Sequence, residues 1–309
     1  MSHCRARALV ALLAGLVTAC ASAPPSSPTD QPTQDLLEVV AVVRLHVMDD
    51  TYRFAPARDI SGRNVFRASF ERLESLETAH AERVASGYMT DVLWFTKARA
   101  LERIGEYELA RKHYSRVADL DSELAEPAHV GRDVCKRILE ALGSDSADGL
   151  TAQGVADRWT KRRALLESLL ADMSETHWRF VVMEEIERGD EQESAYFAAQ
   201  SESEPKLEAT ALQRAQQLVE LHRESKNKNR HLLALADLYA ELSRRYARRN
   251  PPPSLGFDPA TFDEYAHGAT RVYEVVSQQD GTIEKLEAAH KLEAYLSFTL
   301  TVHEDKLPH

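Results

Sequence analysis

The chain has 309 residues, 43% hydrophobic and 28% charged, the proportions of an ordinary globular protein with room for one large domain or two small ones. Its formal charge of −11 argues against general nucleic-acid binding. Of three cysteines, Cys4 and Cys20 fall near the N-terminus, so Cys135 has no partner in the remainder and stability must come from packing.

From the N-terminus, Arg5 and Arg7 precede an apolar run from Ala8 to Val17. A bilayer span needs about 20 apolar residues, so this run is too short, but its order is that of a secretory signal. It ends on Val17-Thr18-Ala19-Cys20, which resembles the lipobox of bacterial lipoproteins. The resemblance implies a signal peptide over 1–19, cleavage before Cys20 and acylation of its thiol and freed amine. One acyl chain binds a membrane marginally and two or three bind it stably. Loss of Arg5 and Arg7 would bring the charge from −11 to −13. Ala21, in place of Asp, implies sorting to the outer membrane of a Gram-negative bacterium, most simply its periplasmic face. The alternatives are a plain cleaved signal or an uncleaved anchor with Cys20 incidental. Residues 20–34 then carry four prolines among serines and threonines, too polar to bury a core. At about 3.1 Å per residue, such a tether reaches roughly 40 Å.

Residues 35–309 read as all-α, with no convincing alternation of apolar residues. Helices are predicted near Leu36–Asp49, Arg63–Ala85, Tyr88–Ile104, Tyr107–Leu120, Pro127–Leu142 and Val155–Met173. Others follow near Thr176–Arg188, Leu207–Glu224, Arg230–Arg249, Pro259–Gln278 and Thr282–Val302. Most stops are short, such as Ser86-Gly87 and Gly105-Glu106. The Gly/Ser/Asp-rich Gly143–Gly154 and the triproline at Pro251 make longer breaks.

Within this series, "WFTKARALERIGEYELARKHYSRVADLD" resembles a tetratricopeptide repeat, a 34-residue helix–turn–helix. Trp94 occupies the large first position, Ala98 the small one, Leu101 the same face and Gly105 the turn. Tyr107, Ala110, Tyr114 and Val117 form the second helix's inner stripe. Lys97 departs from the usual leucine and Ser122 from the closing proline. A shift of 34 residues lands on Ala128 and Cys135, and Leu232, Leu235, Ala236 and Tyr239 repeat the first-helix spacing. Ala269, Tyr273 and Val276 repeat the second, and Thr282–Val302 is placed as a cap. The resemblance implies a helical-hairpin solenoid, since one unit cannot bury its own apolar face. The alternative is an irregular bundle with one look-alike hairpin.

Little in the sequence points to catalysis. Glu193-Ser194 resembles the Glu-Ser start of lytic transglycosylases, in which a raised glutamic acid protonates a glycosidic oxygen. The companion Gly-Leu-Met-Gln is absent, and an exposed polar helix end is the simpler expectation. No His-Glu-x-x-His occurs, and the cluster His303, Glu304, Asp305 and His309 sits at a terminus. Cys135, in register with Leu101, is expected to be a buried small hydrophobe. The acidic runs Glu184-Glu185-Glu187 and Glu202-Glu204 are expected to be solvated faces. Arg244, Arg245, Arg248 and Arg249 form the densest basic patch, either a helix end favoured by the dipole or a contact for an anionic partner.

No cofactor, metal or catalytic residue is expected. The resemblances together imply a lipid-anchored, non-enzymatic scaffold or assembly factor of a cell-envelope machine, binding envelope proteins or peptide segments. The surfaces expected to touch partners are those around Trp94–Leu101 and Arg230–Tyr239, with the arginine patch. The alternatives are a peptidoglycan-cleaving enzyme using Glu193, or a carrier with an enclosed apolar pocket.

Overall fold

A computed structural model of the chain describes residues 32–143 and 151–304. The expected signal peptide, Cys20, most of the tether, Asp305 and His309 lie outside these residues. The described residues form twelve α-helices and no strand. In chain order they are α1 Pro32–Val47, α2 Val65–Ala79, α3 Ala81–Ala85, α4 Thr90–Glu102, α5 Tyr107–Ala118 and α6 Ala125–Leu142. These are followed by α7 Ala152–Asp172, α8 Trp178–Ser203, α9 Glu208–Leu221, α10 Lys228–Arg249, α11 Pro259–Ser277 and α12 Ile283–Glu304.

Local chemistry sets several of these limits. The Asn64 side chain accepts from the amides of Phe66 and Arg67 and starts α2; Asp258 does the same for Ala260 and Thr261, with Pro259 at the first turn of α11. The first helix begins at Pro32, so the expected tether gives up its last three residues to α1. The helix predicted over Arg63–Ala85 is divided at His80 into α2 and α3. The largest correction is α8. Predicted to end at Arg188, the helix continues to Ser203. Gly189 lies under the Arg162 guanidinium of α7, with Nε 3.4 Å from where a Cβ would stand, so the glycine serves close packing and not termination.

Apart from the short α3, where α2 packs directly on α4, consecutive helices pack on one another from α1 on α2 to α11 on α12. Contacts also join α1 to α4 and α10 to α12. The apolar core runs through the stack as successive clusters. Leu36, Val39, Val43, Phe66 and Leu73 fill the first, and Ala98, Leu101, Tyr114, Val134, Ile138, Leu166 and Trp178 the second. Phe197, Ala211, Leu235 and Leu242 form a third, and Phe262, Ala269, Tyr273, Val276 and Tyr295 the last. Ala98, Leu101, Tyr107, Ala110, Tyr114 and Val117 are buried, Trp94 is half-buried, and Gly105 ends α4 with φ +82°. Ala128 and Cys135 are both buried, two turns apart on one face of α6, and burial pushes the Cys135 thiol far above its ordinary range. It is inert there.

The stack is also tied across. The segment after α1 reaches the turn between α9 and α10, where Lys226 N donates to Tyr52 O at 2.9 Å. Arg103, just past the end of α4, donates from Nη2 to Asp49 O at 2.9 Å.

Candidate functional site

The centre of the molecule is polar. The expectation that Glu184, Glu185 and Glu187 form a solvated face is wrong for two of them: Glu185 is fully buried and Glu187 is 2% exposed. Helix α8 carries charge around much of its circumference because neighbouring elements supply partners on several sides. Tyr107 of α5 donates to Glu185 Oε1 at 2.6 Å, and Arg188 contacts the same oxygen. Lys226 reaches Glu184, Arg163 reaches Asp190, and Arg162 donates to Gln192 at 3.1 Å.

Three buried histidines each meet a carboxylate. His177 donates to Glu102 Oε1 at 2.6 Å, and Tyr114 and Arg99 hold the other faces of that pair. His231 donates to Glu187 Oε1 at 2.6 Å, and Ser225 to the same oxygen at 2.5 Å. His222 donates to Asp190 Oδ2 at 2.8 Å and accepts from Tyr52 OH at 3.0 Å. Burial would raise Glu102 and Glu187, but their histidine, arginine and hydroxyl partners hold both below the usual carboxylate range.

The Asp190–His222–Tyr52 line has the order of a carboxylate, a base and a hydroxyl nucleophile. Its chemistry is otherwise. Burial and the nearby Glu187 charge push the Tyr52 phenol up to about 12, and the ring is 4% exposed, so it stays protonated and shielded. Ser225 gives its proton to a carboxylate and not to a base nitrogen. These groups bind elements together.

Among the clefts that open to the surface, two hold residues singled out in the sequence. One, of about 630 Å³, lies between α3, α4 and the turn after α5, lined by Glu77, Val84, Asp91, Trp94 and Leu120 among others. Trp94 Nε1 donates to Glu77 at 2.9 Å and Arg116 covers the ring. The other, of about 440 Å³, lies between α7, α8 and α9, lined by Trp159, Arg163, Asp190, Glu193, Arg214 and Gln217 among others. Glu193 is therefore not at an exposed helix end, as expected from sequence, but in the middle of α8 with its side chain 12% exposed. Burial raises its carboxyl against the pull of Arg214, whose Nε stands 3.3 Å away, with the Asp190 charge adding to the rise.

The arginine patch is not a free cationic surface. Arg244 covers the rings of Tyr295 and Phe298, and Arg245 donates to Ser201 O at 2.6 Å. Arg248 pairs with Glu241 and Arg249 with both oxygens of Glu208. Lys97, which breaks the repeat pattern, is buried and neutralised by Glu74 and Glu77. Among the described residues no group of three or more histidines, cysteines and acids is placed to hold a metal, and no helix is long and apolar enough to cross a membrane. His303 stands against Phe262, with Asp263 3.8 Å away.

No family model matches the chain, and comparison with the curated proteins and with the solved structures gives no match.

Proposed function

We propose that the chain is a non-enzymatic interaction scaffold or assembly factor of a Gram-negative cell envelope, held at the outer membrane through an acylated Cys20, with a tetratricopeptide-like stack as its binding domain. The observation that carries this reading is the stack of consecutive helices with an open cleft at Trp94, while the buried polar groups of α8 are engaged with one another. An extended peptide or a partner's helix laid in that cleft would meet the edge of the Trp94 indole, apolar Val84 and Leu120, and carboxylates at Glu77, Asp91 and Asp121. That lining favours a segment with apolar and basic residues. Crosslinking in intact cells, followed by affinity purification and mass spectrometry, tests it. A reproducible set of envelope proteins that is lost or changed with Cys20→Ala is the expected result; recovery of the chain alone would sink the reading.

The placement of Glu193 favours one second reading, glycan cleavage with Glu193 as the acid and Asp190 as the second carboxylate beside it. Muramidase zymography of the wild type and Glu193→Gln decides it: clearing by the wild type alone establishes the enzyme, and no clearing by either removes it.

A further inference from the structure

The two ends of the stack are unusual for a repeat array, whose terminal elements need polar outer faces to stay soluble. Helix α1 buries Leu36, Val39, Val43 and Val47 against α2 and α4. Its opposite side presents Gln34, Leu37, Ala41, Arg44 and Met48, the last just past the helix end, with Leu45 beside them at 70% exposure. Helix α12 buries Ala288, Tyr295, Thr299 and Val302. Its opposite side presents Leu286, Ala289, Glu293, Leu296 and Leu300, with Leu286 68% and Leu300 63% exposed. Both stripes alternate steps of three and four residues, the spacing of a coiled-coil seam.

Each seam holds one charged residue, Arg44 in α1 and Glu293 in α12, and neither forms an ion pair among the described residues. In antiparallel register, Leu37 meets Leu300, Ala41 meets Leu296, Arg44 meets Glu293 and Met48 meets Ala289. Antiparallel packing is also the alternation by which consecutive helices continue a stack. Pairing α12 with another α12 sets Glu293 against Leu296, and pairing α1 with another α1 sets Arg44 against Ala41; both leave a charge unmatched. A single polar match in an apolar seam fixes register and partner.

We propose that the outer face of α12 docks on the outer face of α1 of a second copy, so that chains join head to tail. This goes beyond the scaffold reading and does not depend on its partner or address. The contact is heterologous, so it builds open strings or closed rings and not simple twofold dimers. A two-helix seam falls at the small end of specific interfaces, about 1,200 Å² or less, so association is weak and depends on concentration.

The test uses the full chain in the cells that make it, with a thiol oxidant and the oxidised wild type as background. Arg44→Cys with Glu293→Cys in one chain is expected to give a ladder of dimers, trimers and higher species on a non-reducing gel. Leu37→Cys with Leu300→Cys is a second seam pair with the same expectation. Each single cysteine stays at background. Differently tagged Arg44→Cys and Glu293→Cys chains, made together, give a mixed dimer and no ladder. In the Leu37→Cys/Leu300→Cys background, Arg44→Glu lowers crosslinking at least about tenfold and adding Glu293→Arg restores it. Homodimers from either single cysteine, capture of a different protein at these positions, or failure of both seam pairs to form a ladder overturns the proposal.

Discussion

At the scale of single residues, backbone approach and charge compensation decide most of the consequences. A Cβ on Gly131 would stand 2.7 Å from the Tyr114 ring, and one on Gly268 would stand 2.7 Å from the Tyr239 ring. The two sites differ in what can move. Tyr114 is fully buried with its hydroxyl on Glu102, whereas Tyr239 is half-buried and bonded to the exposed Gln216. Gly131→Ala is therefore expected to cost about 1–3 kcal/mol and Gly268→Ala less than about 1, read as the difference in denaturation midpoints. Lys97 gives a second expectation. Burial, followed by the Lys97 and Arg116 charges, depresses His113 to about 4. Lys97→Met removes one of those charges, so the His113 imidazole should titrate higher, as followed by NMR; an unchanged midpoint would show that Lys97 has no part in setting it. Lys97 was legible only as a misfit in the repeat pattern. Its explanation lies in Glu74 and Glu77, about twenty positions away on another helix, and local spacing carries no sign of them.

At the scale of the element, α8 departs most from what its sequence suggested. Its stretch Met183–Glu193 has acids at six of eleven positions, which ordinarily marks a face in water. The partners that allow burial come from four other parts of the chain: Tyr107, Arg162, His222 and the Ser225–His231 segment. The sequence did contain a hint, since a helix with charge on nearly every side needs compensation from somewhere, and His222 and Ser225 had been given no role. By contrast, helices whose apolar residues keep one face, such as α5 and α11, were placed to within a few residues. The burial difference along α8 makes a direct comparison. Glu187→Ala, which strips His231, Ser225 and Asn227 of their acceptor, should cost about 3–5 kcal/mol. Glu191→Ala, which removes a surface pair with Arg230, should cost about 0–1 kcal/mol. Equal losses in urea unfolding would contradict the placement of the two carboxylates.

At the scale of the whole molecule, acid should unfold the chain in two stages. His113 has a folded value of about 4 against an ordinary 6.5, so the unfolded chain binds the extra proton between those values. Stability from this group is complete above about 6.5 and is lost as the pH falls toward 4, by on the order of 3 kcal/mol at about 1.4 kcal/mol per unit. Glu102 and Glu187, held low in the fold, add losses below the ordinary carboxylate range. Melting temperatures at pH 7, 5.5 and 4.5 should decline, and His113→Gln should flatten the decline between 7 and 4.5 while leaving the steeper loss at lower pH. The all-α class was legible because helical periodicity is written locally. The cross-ties were not, because Tyr52 and His222 are 170 positions apart. That tie has a mechanical meaning. A plain row of stacked hairpins pulled from its first helix peels open one pair at a time, each step as weak as the last. Here tension that has passed α1 meets Tyr52, clasped to His222 and Lys226, and reaches the second half of the chain without running through the helices between. Pulled from that end, α1 should come away first, and the helices behind the clasp should then hold to a higher force.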